Sequence, residues 1–76
     1  MGQLLEVDSS MIRAVKYDEG KQVLEVWFNS GGVYAYEEVP QEVYDELLEA
    51  DSKGRFMRDV IIDSYPYYRV SKGGRR

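Results

Sequence analysis

One short segment of this sequence combines the groups that bind anions. Ser52-Lys53-Gly54-Arg55 places a hydroxyl group and two cations at the predicted start of a helix. The N–H groups of a helix start attract phosphates, and a glycine lets a ligand approach the backbone. With Arg58 one helical turn further on and Arg69 expected nearby, this is the best candidate for a phosphate site. The alternative is that Ser52 caps the helix and its basic neighbours are solvated.

Tyrosines follow this segment and lie among basic residues. Tyr65, Tyr67 and Tyr68 fall between Arg58 and Arg69. Interleaved aromatic and cationic side chains are typical of proteins that bind single-stranded nucleic acid, but they also suit a peptide interface or the packing of a C-terminal strand. In an extended chain, Tyr65 and Tyr67 point to one side and Tyr68 to the other. We expect one side to be buried and the other to be available.

The composition excludes most enzyme chemistry. The 76 residues include no Cys and no His, so the chain has no thiol nucleophile, imidazole base, Cys/His zinc site or disulfide. The acidic residues between Glu37 and Glu49 show no calcium-loop pattern and are predicted to face solvent. We therefore expect a protein that is not an enzyme and that has no metal and no cofactor.

Charge is distributed unevenly along the chain. Residues 1–51 carry 3 basic and 12 acidic side chains, whereas residues 52–76 carry 7 basic and 2 acidic ones. The formal net charge of −4 gives no general attraction to nucleic acid, but a local basic face can still bind phosphates. No apolar run approaches the roughly 18 residues of a membrane span, so we expect a cytoplasmic protein without a membrane partner.

The hydrophobic periodicity predicts an α+β fold. Alternating apolar residues between Ser10 and Val39, interrupted by two turns, predict a three-stranded antiparallel meander. Two short helices, over residues 41–50 and after Ser52, would pack on one face of this sheet. The C-terminal segment around Pro66 is predicted to be extended, either as an edge strand or lying across the helices. Residues 1–70 would form a single domain and residues 71–76 a flexible basic tail.

The register of the second hairpin decides the role of its tyrosines. If Phe28 lies opposite Val33, Tyr34 and Tyr36 share an exposed face with Trp27, where they would offer a platform for stacking bases. If the loop instead holds the three residues 30–32, both tyrosines fill the core under the helices. We favour the core placement because a small domain needs every large side chain for its core.

Short motifs follow one another along the chain in a particular order. They are Leu24, Val26 and Phe28, then Ser30-Gly31-Gly32, Tyr34-Ala35-Tyr36, Val39-Pro40, Ser52-Lys53-Gly54 and Tyr65-Pro66-Tyr67. This order and spacing resembles the KTSC domain over about residues 8–70. The resemblance implies a module found at the C-terminus of some lysyl-tRNA synthetases and as a free-standing protein of bacteria and phages. It implies no catalytic residues, a function that is not established, and RNA binding by analogy with the synthetase.

We therefore interpret the chain as a binding module without catalytic activity. The leading hypothesis is that it binds RNA, either tRNA or single-stranded RNA, through a basic, tyrosine-rich C-terminal face. The candidate residues of that face are Lys53, Gly54, Arg55, Arg58, Tyr67, Tyr68 and Arg69. The alternative is a protein-interaction module that presents a strand edge or an aromatic groove. The sequence leaves the oligomeric state open.

Overall fold

The fold consists of an antiparallel sheet with a helical layer on one face, which confirms the α+β prediction. The computed structural model describes residues 4–7 and 9–70, so the predicted tail lies outside the described residues. The strands are β1 (Leu4–Glu6), β2 (Ile12–Asp18), β3 (Val23–Phe28), β4 (Val33–Tyr36) and β5 (Tyr67–Arg69). The helices are α1 (Gln41–Glu49) and α2 (Lys53–Phe56), and α2 continues into a π-helical segment (Met57–Ile61). No helix of the described residues has the length and apolar composition needed to cross a membrane.

The prediction of three strands is wrong, because the sheet has five. Their order is β1-β2-β3-β4-β5, and every neighbouring pair is antiparallel. The two strands beyond the predicted meander are the edges, each three residues long, and only β1 has no counterpart in the prediction. β1 pairs Leu5 with Val15, and β5 pairs Tyr67 with Tyr36. The C-terminal extended segment thus becomes an edge strand rather than a connection across the helices.

The β3–β4 hairpin places Tyr34 and Tyr36 on the helix side of the sheet. Tyr34 lies opposite Val26 and Tyr36 lies opposite Leu24. The loop holds residues 29–31, one residue earlier than predicted, since Phe28 exchanges hydrogen bonds of 2.9 Å with Gly31 and Gly32, and the partner of each β3 residue therefore shifts by two. A shift of two residues leaves every side chain on its predicted face, because side chains alternate with period two.

The core lies between the sheet and the helices. Side chains such as Val15, Leu24 and Val26 on the sheet pack with Leu47 of α1 and Met57 of the π-helical segment. All five are buried. At roughly 1.5 to 3 kcal/mol for each buried aliphatic side chain, this layer supplies most of the stabilisation of so small a domain.

Two tyrosines extend this core to the end of the sheet where α1 begins. The Tyr17 hydroxyl donates to the carbonyl of Val39, and its ring stacks on Tyr44 of α1 with centroids 4.7 Å apart. Val39 in turn donates its N–H to the carbonyl of Gln22 at 2.9 Å. These contacts fix the chain between β4 and α1 against the turn between β2 and β3.

Replacing Glu38 with glycine is expected to raise the free energy of unfolding by about 0.5–1 kcal/mol. Glu38 is exposed and has a φ of +63°, a left-handed conformation that is unfavourable for a residue with a Cβ atom. Glycine removes this penalty, although it also makes the unfolded chain more flexible. Urea unfolding of the wild type and Glu38→Gly would measure the difference.

The neighbouring Glu37→Gly is the matched control for this substitution. Glu37 is also exposed but has no positive φ, so glycine there only adds freedom to the unfolded chain. We expect Glu37→Gly to lower the free energy of unfolding by a few tenths of a kcal/mol or more, up to about 1 kcal/mol. Equal destabilisation by both substitutions would contradict the proposed strain at Glu38.

Candidate functional site

The Ser52–Arg55 segment uses several of its polar groups within the protein. The Ser52 hydroxyl accepts the backbone N–H of Arg55 at 3.3 Å and so caps α2. The Lys53 ammonium donates to the carbonyl of Ala50 at 3.1 Å. α2 has only four residues before the π-helical segment begins. These contacts correspond to the alternative interpretation, in which Ser52 is a helix cap, and they hold the connection between the two helices.

Gly54 and Arg55 also lie in surroundings unlike those of a phosphate site. Gly54 is buried, and a Cβ atom added to it would lie 2.9 Å from the Cβ of Met11. Arg55 is exposed and lines a shallow recess of about 290 Å³ with Asp51 and Asp59. Because two carboxylates flank this one guanidinium group, the recess gives an anion little net attraction.

The tyrosine-rich strand β5 presents its side chains to opposite faces. Tyr67 and Arg69 lie opposite Tyr36 and Tyr34, so they share the helix side of the sheet. The ring centroid of Tyr67 is 5.5 Å from that of Tyr36 and 5.8 Å from that of Tyr34. Tyr68 points the other way. Tyr67 and Tyr68 are 56% and 52% exposed, respectively.

The predicted C-terminal face is therefore divided between two sides of the molecule. Lys53, Arg55 and Arg58 belong to the helical layer, and Arg55 and Arg58 are exposed there. Tyr67 and Arg69 share the helix side of the sheet, whereas Tyr68 lies on the opposite face.

The sheet face opposite the helices, which we call the open face, collects different residues. No helix of the described chain packs on it, because the buried helical side chains all join the core on the other side. Strand pairing arranges its side chains in two rows. The first row is Glu6, Ala14, Trp27 and Val33, and the second is Leu4, Lys16, Glu25, Ala35 and Tyr68.

A groove runs beside Trp27 on the open face, and we call it the Trp27 groove. Its volume is about 800 Å³, and its walls include Leu4, Glu6, Arg13, Trp27, Val33 and Val70. The strand register shifts between Ile12 and Ala14, so Arg13 is the extra residue of a β-bulge. A bulge re-aims a side chain, and here it brings a cation to the edge of an aromatic groove.

A second, smaller recess on the open face surrounds Tyr68. It has a volume of about 170 Å³ and is lined by Tyr68, Lys16, Lys21, Asp18 and Glu25, among others. The Asp18 carboxylate accepts the backbone N–H of Lys21 at 3.2 Å, which holds the turn that carries this lysine. The recess thus places two ammonium groups near an exposed aromatic ring, with two carboxylates alongside.

Burial raises the pKa of several tyrosine hydroxyl groups. The pKa of Tyr36 is raised to about 12, first by burial and then by the neighbouring phenols of Tyr67 and Tyr34. Burial also raises the pKa of Tyr17 and of Tyr44, and nearby carboxylates add to both effects. These three phenols remain neutral near pH 7, which suits their place in the core rather than acid–base chemistry.

The acidic side chains of the described residues do not gather in a cluster of metal ligands. Glu42, Asp45 and Glu46 are exposed along α1 and face solvent. Within residues 4–7 and 9–70, no group of three or more acidic side chains comes close enough to hold a metal ion.

Trp27 and Tyr68 were among the candidates predicted from the sequence, but the cations beside them were not. Arg13, Lys16 and Lys21 lie in the acidic half of the chain, so the charge asymmetry directed attention away from them. The available signal was alternation: Lys16 is one residue from the buried Val15 and Tyr17, which places it on the opposite face. The bulge at Arg13 leaves no such signal in the sequence.

Comparisons with known proteins agree on one family. The KTSC domain family matches residues 8–65 of the chain. An uncharacterised protein of Stutzerimonas stutzeri is 48% identical over 65 residues, which cover 84% of this chain and 92% of that protein. A lysine–tRNA ligase of a Nostoc species is 37% identical over 68 residues, which cover 90% of this chain but 12% of the ligase.

A solved structure shows the same fold. The crystal structure of a KTSC domain protein from Yersinia pestis matches with a TM-score of 0.90 at 32% sequence identity. The match covers 93% of this chain and 100% of that one. Relatives thus include a small protein of similar length as well as a segment of a much longer enzyme.

Proposed function

This chain belongs to the KTSC domain family, and we propose that it is a non-catalytic module that binds single-stranded RNA on the open face of its sheet. Single-stranded RNA is recognised by aromatic side chains that stack on unpaired bases and by cations that meet the phosphates. Sheet surfaces are a common way to present both. The proposal concerns binding and includes no catalysed reaction. The chain has no His and no Cys, which agrees with such a role.

The observation that carries this proposal is the pairing of aromatic rings with cations on the open face. Trp27 lines its groove together with Arg13. Tyr68 lines its recess together with Lys16 and Lys21. The open face thus carries two aromatic rings and three cations, with the carboxylates of Glu6, Asp18 and Glu25 among them.

The relatives support the proposal from a different direction. Three relatives that contain a segment matching this chain are named lysine–tRNA ligases, and this name includes tRNA. A domain attached to such an enzyme would lie near tRNA, whose loops and end offer unpaired bases. Of the residues predicted from the sequence, Trp27 and Tyr68 belong to the proposed surface, whereas Arg55 and Arg58 lie outside it.

A protein partner is the second candidate. The walls of the Trp27 groove are largely apolar, and Leu4 at its edge is 51% exposed. Exposed apolar surface of this kind is typical of protein interfaces. Binding to a protein through the groove would depend weakly on salt, whereas binding to RNA through several cations would weaken steeply.

Salt dependence provides the test of RNA binding. Affinities of a labelled single-stranded RNA would be measured by fluorescence anisotropy over a range of salt concentrations. Each phosphate contact contributes a slope of about −0.7 in the plot of log affinity against log salt. We expect Lys16→Gln with Lys21→Gln to make the slope less steep by about 1.4, because two contacts are lost. The fluorescence of Trp27, the only tryptophan, should also change on binding.

The double variant Arg55→Gln with Arg58→Gln is the matched control. It removes the same number of positive charges from exposed positions of the helical layer. We expect its slope to equal that of the wild type. A larger effect of this control than of the lysine variant would move the interface to the helical layer, and no binding of the labelled RNA by the wild type would favour a protein partner.

A further inference from the structure

We propose that the Trp27 groove holds one guanine base of the bound RNA. This inference rests on the proposed function and specifies which nucleotide the site selects. It depends on three groups that line the groove: the aromatic ring of Trp27, the carboxylate of Glu6 and the guanidinium group of Arg13.

The backbone brings Glu6 and Arg13 to the same part of the groove. Glu6 lies opposite Ala14, the residue that follows Arg13. The N–H of Val7 donates to the carbonyl of Arg13 at 3.1 Å, which fixes the end of β1 against the bulge. Both charged side chains line the groove that Trp27 borders.

The opposite wall of the groove is apolar. Val33 is paired with Trp27, and Val70 donates its N–H to the carbonyl of Val33 at 2.7 Å. A flat aromatic base is suited to a groove with a tryptophan and aliphatic walls. The volume of about 800 Å³ is within the range of sites that bind small molecules and accommodates a nucleoside.

The hydrogen-bonding groups of the groove select among the four bases. A carboxylate only accepts hydrogen bonds, and a guanidinium group only donates them. Guanine offers two adjacent donors on its Watson–Crick edge and two acceptors, O6 and N7, on its Hoogsteen edge, so Glu6 and Arg13 complement one edge each. Adenine would present the N1 acceptor to the Glu6 carboxylate, and uracil has only one donor between two acceptors.

The test compares heptameric RNAs that differ in one base. Fluorescein-labelled uridine heptamers with guanine, adenine, cytosine or uracil at the centre would be titrated with the wild-type protein. We expect the guanine heptamer to bind about 5- to 150-fold more tightly than the uracil one, the range for loss of a bidentate contact. Inosine, which lacks the N2 amino group, should bind more weakly than guanine.

Two variants test whether the preference for guanine arises in the Trp27 groove. Glu6→Gln should abolish most of the guanine preference while binding of the uridine heptamer persists, because glutamine is similar in shape but not an exclusive acceptor. Glu46→Gln on the exposed face of α1 removes the same charge elsewhere and should leave the preference intact. If all four heptamers bind equally to the open face, the guanine proposal is wrong and the RNA-binding function stands; if none binds, both are wrong.

Discussion

Replacing Gly54 with alanine is expected to lower the free energy of unfolding by about 1–3 kcal/mol, the usual cost of overpacking a tight interior. The added Cβ would lie 2.9 Å from the Cβ and 3.2 Å from the Sδ of Met11. The first of these atoms is attached directly to the backbone, so a rotamer change of Met11 does not remove the clash. Either α2 or the segment before β2 must move. Urea unfolding would measure the loss.

Gly20→Ala is the matched control for Gly54→Ala. Gly20 is exposed, its φ is not in the left-handed region, and an added Cβ would lie 3.4 Å from the Asp18 carboxylate. We expect this variant to remain within about 0.5 kcal/mol of the wild type, as surface substitutions usually do. Similar effects at positions 20 and 54 would contradict a steric role for Gly54.

The same variant separates two interpretations of Gly54. In the first interpretation, the missing side chain of Gly54 lets a ligand approach the backbone. That role predicts a stable Gly54→Ala protein with weakened RNA binding, whereas contact with Met11 predicts a destabilised protein. If RNA affinity is measured where Gly54→Ala is still folded, we expect it to be close to that of the wild type.

The elements with local signals were predictable from the sequence. The strands β2 to β4 show alternating apolar residues or clear turns, and α1 shows apolar residues at helical spacing. The alternative in which Ser52 caps a helix was also available from the sequence, because the preference for serine at that position has a local physical cause. These predictions needed no knowledge of distant parts of the chain.

The edge strands could not be predicted with the same certainty, because they form by pairing with neighbouring strands and no local sequence pattern indicates that pairing. β1 and β5 each have three residues, which is too short for an alternating pattern to stand out. Each forms by hydrogen bonding to a neighbour, β1 to β2 and β5 to β4. Alternation already predicts that Tyr67 and Tyr68 occupy different faces, and the pairing of β5 decides which face each of them takes.

The candidate site was recognised only in part for the same reason. Lys16 and Lys21 are about fifty residues from Tyr68 in the sequence, yet the five-stranded sheet brings all three to one recess. Charge counted along the chain favoured the C-terminal residues. Grouping by sheet face instead brings these two lysines to the ring of Tyr68, and that grouping requires the strand order.

Alkaline pH is expected to destabilise the protein between about pH 10 and 12, with Tyr36 as a major contributor. Tyr36 is 3% exposed, and its pKa is raised from 10.0 to about 12, mainly by burial. In this range the unfolded chain loses the phenolic proton before the folded protein does, so the free energy of unfolding falls as pH rises. The contribution of Tyr36 is fully present below pH 10 and amounts to about 3 kcal/mol, which is lost by pH 12.

Tyr36→Phe isolates this contribution from the other groups that titrate at high pH. Phenylalanine keeps the ring but has no proton to lose, so the free energy of unfolding of this variant should fall less steeply between pH 10 and 12 than that of the wild type. Tyr68→Phe, which removes a phenolic hydroxyl at a half-exposed position, is the matched control. Buried Tyr17 and Tyr44 have raised pKa values as well, so some alkaline loss should persist in Tyr36→Phe. If the free energy of unfolding of Tyr36→Phe falls as steeply with pH as that of the wild type, Tyr36 ionises equally readily in the folded and unfolded states. That result would contradict a pKa of Tyr36 raised by burial.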